Sequence, residues 1–153
     1  MTEVFNTTFE VSLRVLLTLE VAGGGQLSAD RIAASDFITV YGREFGISKE
    51  NLHGENTYKY GEFALRREMV KEALKELVLD AFADVEDTAN GVVYSISEWG
   101  KGYASKLDNE YARRYRTLSA KVREYLAELT EREALRRINE KSLLSLQRGG
   151  LNG

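Results

Sequence analysis

Residues 60–100 read YGEFALRREMVKEALKELVLDAFADVEDTANGVVYSISEWG. Phe63, Val70, Leu74 and Leu77 recur at steps of three to seven and share one helical face, which predicts a long amphipathic helix. Phe82 and Val85 then lead through Asp87-Thr88-Ala89-Asn90-Gly91 into Val92, Tyr94 and Ile96. The alternation on the far side and the Asn90-Gly91 pair predict a β-hairpin. Ser97 follows where a hydroxyl can accept a free amide of the next helix. Helix, strand, turn and strand in this order are the third helix and wing of a winged helix-turn-helix. Such units dock on large partners, nucleic acid or protein, more than they do chemistry.

Upstream, Thr7-Thr8-Phe9-Glu10 fits a capping box, and Leu13, Leu16, Leu17, Leu19 and Val21 continue an apolar helix to Ala22. Gly23-Gly24-Gly25 ends it. Gln26 and Leu27 follow where a phosphate loop would need Lys and Ser or Thr, so the triplet is not such a loop. Ser28 caps a second helix with Asp30 near its positive end, and Ile32, Ala33, Phe37, Ile38 and Tyr41 form its buried side. Gly42 and Gly46 break the pattern, and residues 47–60 read as a long loop with a helical turn near Ser48.

Downstream, Trp99, Tyr103 and Leu107 lie four apart and are expected to anchor a short helix. Asp108 either caps a new helix or lies inside a continuous one. Tyr111, Tyr115, Leu118, Val122, Tyr125 and Leu129 then step by four and three, a heptad seam that demands a helix to pack on. Thr130 and Glu133 form a second capping box before a last helix through Leu135, Ile138 and Leu143. The expected architecture is mainly α with a small β-hairpin. It divides into a winged-helix-like domain over 1–107, a C-terminal helical arm over 108–148, and a frayed tail over 149–153.

The chain has 153 residues, with no cysteine and no proline. Disulfides and thiolate metal sites are therefore excluded, and uninterrupted helices are favoured. No apolar run reaches a membrane span and the start lacks the pattern of a secretory signal, so a cytoplasmic location is expected. The net charge of −3 conceals an asymmetry. Residues 1–112 hold 11 Lys/Arg against 19 Asp/Glu, whereas 113–153 hold 10 against 5. A polyanion would be drawn to the C-terminal part.

Nothing in the sequence assembles a reactive centre. His53 is the single histidine, and a lone loop histidine more often packs than catalyses. No serine sits in a G-x-S-x-G elbow, and Asp84, Glu86 and Asp87 read as a solvated edge of the wing. No enzymatic activity, cofactor or metal is expected. The candidate binding residues lie on the third helix and the seam. Arg66, Arg67, Lys71 and Lys75 are basic, but Glu68, Glu72 and Glu76 form an acidic strip beside them, and the wing carries acids without bases. Acids facing phosphates repel them, which favours a protein partner over DNA. Tyr111, Tyr115 and Leu118 are the seam positions expected to meet another helix, in this chain or in a partner. A winged-helix DNA-binding transcriptional regulator is the alternative.

The chain resembles a known family. Phe5 to Glu10, Asp36 to Gly42 with Phe45-Gly46, Leu52-His53-Gly54, Glu62 to Arg67, Tyr94 to Ser97 and Tyr111-Ala112 carry the likeness, over roughly residues 5–140. Together they look like the small middle component of bacterial ABC-three-component systems, including the Lamassu-type anti-phage systems. The resemblance implies a non-enzymatic subunit beside an SMC- or Rad50-like ATPase and an effector such as a nuclease. It would couple the one to the other, and DNA would be met through the complex.

Overall fold

A computed structural model describes residues 7–54 and 61–152, with side chains described as far as Leu144. The part of the expected loop at 55–60 lies outside the described residues. Helix α1 spans Thr8–Val21, α2 Ala29–Val40, α3 Glu62–Leu79, α4 Glu98–Ser105, α5 Glu110–Ala127 and α6 Glu131–Asn152. Strands β1, Ala83–Thr88, and β2, Gly91–Ile96, form one antiparallel hairpin between α3 and α4. The protein is thus mainly helical with a two-stranded hairpin.

Capping chemistry places most helix starts where the sequence predicts them. The Thr7 hydroxyl accepts from Glu10 N–H at 3.1 Å, Ser28 from Arg31 N–H at 3.1 Å and Ser97 from Gly100 N–H at 2.9 Å. Thr130 and Glu133 cap each other reciprocally, at 3.1 and 3.2 Å. Asn109, one residue beyond Asp108, caps α5, accepting from Ala112 N–H at 2.8 Å. Helix ends are closed by long cations. Arg31 donates to the carbonyls of Leu126 and Leu129 at the end of α5. Arg116 donates to those of Ala104 and Leu107 at the end of α4, both at 2.6 Å, and to Glu20 at the end of α1, at 2.7 Å. Carbonyls that a helix cannot satisfy internally are bonded this way.

Helix α2 is the centre: every residue from Ile32 to Val40 is buried. A helix buried on all sides must be surrounded, and α1, α3, α5 and α6 all pack on it. Val11, Val15 and Leu19 of α1, Val70 and Leu74 of α3, and Val122 and Ile138 of the last two helices join one hydrophobic cluster. Burying each such side chain contributes roughly 1.5–3 kcal/mol. The heptad seam of α5 therefore finds its partner helices, α1 and α2, within the same chain, and the C-terminal helices share the core instead of standing off it.

Several local expectations are corrected. The hairpin pairs Thr88 with Gly91, so its loop is Ala89-Asn90, one residue earlier than the Asn90-Gly91 pair. Gly91, at φ 114°, takes the positive-φ position beside the loop. The helical turn near Ser48 lies earlier, at Gly42–Phe45, closed by Gly46 in the left-handed region. Helix α6 runs to Asn152, through the segment expected to fray; glycines in a helix cost about 1 kcal/mol each without forbidding it.

Candidate docking surfaces

The sequence-predicted residues divide into an interior set and an exterior set. Arg66, expected on a binding face, is 3% exposed, and Tyr115, expected to meet another helix, is 0% exposed and meets α1 and α2 of this chain. Both side chains belong to a polar network around Asp36, itself fully buried. Arg14 donates to Asp36 through Nε at 2.8 Å and Nη2 at 3.3 Å, Arg66 through Nη1 at 3.1 Å, and the Tyr115 hydroxyl at 2.7 Å. Thr18 shares a hydrogen bond with Tyr115 at 3.0 Å. Burial alone would push the Asp36 carboxyl up, but Arg14 and Arg66 outweigh it and hold the group down at about 2. Glu62, one turn before Arg66, lies 3.7 Å from it and accepts from Tyr41. The network joins α1, α2, α3 and α5, and no partner can reach it.

Tyr111 and Leu118 are half-buried. Tyr111 stacks between His53 and Tyr115, with ring centroids at 5.7 and 6.4 Å, and its hydroxyl lies 2.5 Å from His53 Nε2. Burial, and then the nearby Arg14 charge, lower the His53 pKa from 6.5 to about 3. The ring is therefore neutral near pH 7 and a poor proton acceptor. It ties the loop after the 3-10 turn to α5.

Arg67, Lys71 and Lys75 do lie along the outer side of α3. Each is already paired: Arg67 with Asp30 through two 3.0 Å bonds, Lys71 with Glu68 at 3.4 Å and Lys75 with Glu72 at 3.5 Å. These three cations of α3 offer a duplex no uncompensated row of charge.

A second surface was missed from the sequence. Trp99 and Tyr103 were expected to anchor α4; instead Trp99 is 69% exposed, Tyr103 is exposed, and Gly100 and Ala104 face the core. Gly100 lies so near α3 and β1 that a Cβ there would sit 2.0 Å from the Phe82 carbonyl oxygen. A larger face could not approach, so the aromatics point outward. Phe82 stacks nearly parallel to Trp99 at 6.4 Å and packs on Tyr103 at 4.7 Å. Phe9, at the start of α1, is 65% exposed and lines the same groove as Phe82 and Tyr103.

The backbone beneath this aromatic cluster is held in an unusual way. Phe82 N–H bonds the Leu77 carbonyl at 2.8 Å and Ala81 N–H that of Val78 at 3.0 Å, the pattern of a Schellman cap. Glycine normally occupies its left-handed position, but here Ala81 does, at φ 64°. A β-carbon in that region costs about 1–2 kcal/mol, and such strain gathers where structure serves function. Ser97 clamps the turn, its hydroxyl donating to the Ala81 carbonyl at 2.6 Å and its N–H to that of Phe82 at 3.2 Å. The signal that could have revealed this face is Gly100 and Ala104, small residues at the same four-residue step as the aromatics. Two stripes compete for the core side of such a helix, and close approach favours the smaller.

Among the described residues no group of three or more His, Asp or Glu side chains gathers to hold a metal ion, and no helix is long and apolar enough to cross a membrane. Over residues 4–148 the chain matches the family model described as ABC-three component (ABC-3C) system Middle Component 2. Comparison with curated proteins and with solved structures gives no match.

Proposed function

Because the chain belongs to the ABC-three component system Middle Component 2 family, we propose that it is a non-enzymatic accessory subunit linking an SMC- or Rad50-like ATPase to an effector, such as a nuclease, in a cytoplasmic anti-phage complex of the Lamassu type. The middle-component family supports a place among other system components. The observation that carries the adaptor reading is the outward-facing aromatic cluster of Phe9, Phe82, Trp99 and Tyr103, positioned by a left-handed alanine and a clamped turn. Exposed aromatics on a rigid support are what protein interfaces are enriched in. The strongly perturbed titratable groups Asp36, Arg14 and Tyr115 are consumed by one another in the interior, and His53 is held beside Tyr111. Three helices followed by a hairpin support a winged adaptor.

The α3 cations bear on the choice of partner. With Lys71 and Lys75 each beside a glutamate, this helix suits a protein surface better than a phosphate backbone. The test is co-expression with the proposed ATPase and effector components of its system, followed by purification through each component in turn. Recovery of this chain with either one supports the reading. Failure to co-purify in both directions overturns it, as would sequence-specific DNA binding by the isolated chain with a steep loss of affinity in salt.

A further inference from the structure

The aromatic cluster borders a groove between the N-terminal end of α1, the C-terminal end of α3, and α4. Phe9, Leu13, Leu77, Phe82 and Tyr103 make its apolar walls, and the cavity volume is about 280 Å³. Among the described residues, the charged side chains that line it are Glu76 and Asp80. Neither carboxylate is in an ion pair among the described residues. The last turn of α3 carries no base, so the negative end of its helix dipole is uncompensated at the same edge. Lys101, the nearest base on α4 to Trp99, is held by Glu98 at 3.1 Å. The groove is therefore apolar inside and negative along the α3 edge.

We propose that this groove receives an amphipathic helix whose apolar face is flanked by Lys or Arg, contributed by another component of the system. The proposal rests on the accessory-subunit reading and adds the chemistry of the contact. An apolar helix face laid in a groove is anchored by a few large side chains, and the aromatic walls supply complementary anchors. The bases of the incoming helix find Glu76 and Asp80, which pair with no cation among the described residues. A second copy of this chain is a poorer occupant. Its own α6, with Leu143 and Leu144 exposed, would have to enter the groove head-to-tail, and a contact of that kind propagates unless the rotation closes.

The test uses the assembled complex of this chain with the proposed ATPase and effector components of its system. A photo-crosslinking phenylalanine analogue replaces Tyr103, and the crosslinked peptide is sequenced. The expected product is a helical segment of another component with Leu, Ile, Phe or Met spaced along one face and Lys or Arg beside them. Glu76→Lys combined with Asp80→Lys, both at exposed positions, should weaken retention in the complex roughly ten-fold while leaving the chain folded. Trp99 is the single tryptophan, so its emission should shift to shorter wavelength on assembly and report occupation directly. A complex that forms without a crosslink at 103, that crosslinks to an acidic segment or to a second copy, or that ignores the double charge reversal overturns the groove assignment and leaves the adaptor reading standing. Absence of any complex overturns both.

Discussion

Replacing Asp36 by Asn should cost this fold about 3–5 kcal/mol, because the change leaves buried cations without their counter-charge. The carboxylate accepts two bonds from Arg14, one from Arg66 and one from Tyr115, and has no exposure. The amide keeps the shape but loses the charge, and it turns one acceptor into a donor aimed at a guanidinium. Against a domain stability of about 5–15 kcal/mol, the loss should lower the melting temperature by roughly 6–20 °C, at about 2–4 °C per kcal/mol for a chain of this size. Urea unfolding followed by far-UV circular dichroism measures it, with the slope unchanged and the midpoint lowered. Adding Arg66→Met to Asp36→Asn should recover part of the loss, since one stranded cation is then gone. A loss below about 1 kcal/mol for Asp36→Asn would refute the account of the network as the tie between α1, α2, α3 and α5.

Other consequences are as easily checked. Gly100→Ala, with its new methyl 2.0 Å from the Phe82 carbonyl oxygen and 3.0 Å from Ile96 Cγ1, should destabilise at or above the roughly 1–3 kcal/mol of ordinary overpacking, measured by thermal melting. Gly102→Ala in the same helix meets nothing within 4 Å and should instead stabilise by about 0.5–1 kcal/mol. Acidification should destabilise the fold through His53. Its folded-state pKa of about 3 lies below the ordinary 6.5, so the unfolded chain binds the extra proton and stability falls as pH drops from 6.5 toward 3. The slope there is about 1.4 kcal/mol per pH unit, and unfolding midpoints from pH 8 to 5 should show it, with His53→Gln flattening the curve. Lys71→Glu and Lys75→Glu should each change stability by no more than about 0.5 kcal/mol, because exposed i,i+3 pairs contribute little; a larger shift in the melting curve would place these side chains in the fold.

Local chemistry with a short reach was legible before any coordinates. Caps at Thr7, Ser28, Ser97 and Thr130, the stop at Gly23 and the hairpin all follow from rules spanning three or four residues. The seam of α5 was legible as a pattern, but its partners were not, because a heptad repeat is blind to whether the facing helix is near in sequence or in another chain. Arg66 shows the opposite limit. A charged residue on an amphipathic helix reads as surface, and it is chiefly the distant Asp36, arriving from α2, that makes its burial affordable, with Glu62 one turn away beside it. The aromatic face was misread for a steric reason: Trp99 and Tyr103 have core-like spacing, and the decision rests on how close Gly100 lies to the Phe82 carbonyl.

Arg116 has a mechanical meaning. One side chain binds the last carbonyls of α4 and the carboxylate of Glu20 while rooted in α5, so three helices are tied at a common joint. Arg116→Ala would remove the ties to both helices at once, so α1 and α4 would lose their shared anchor on α5 together.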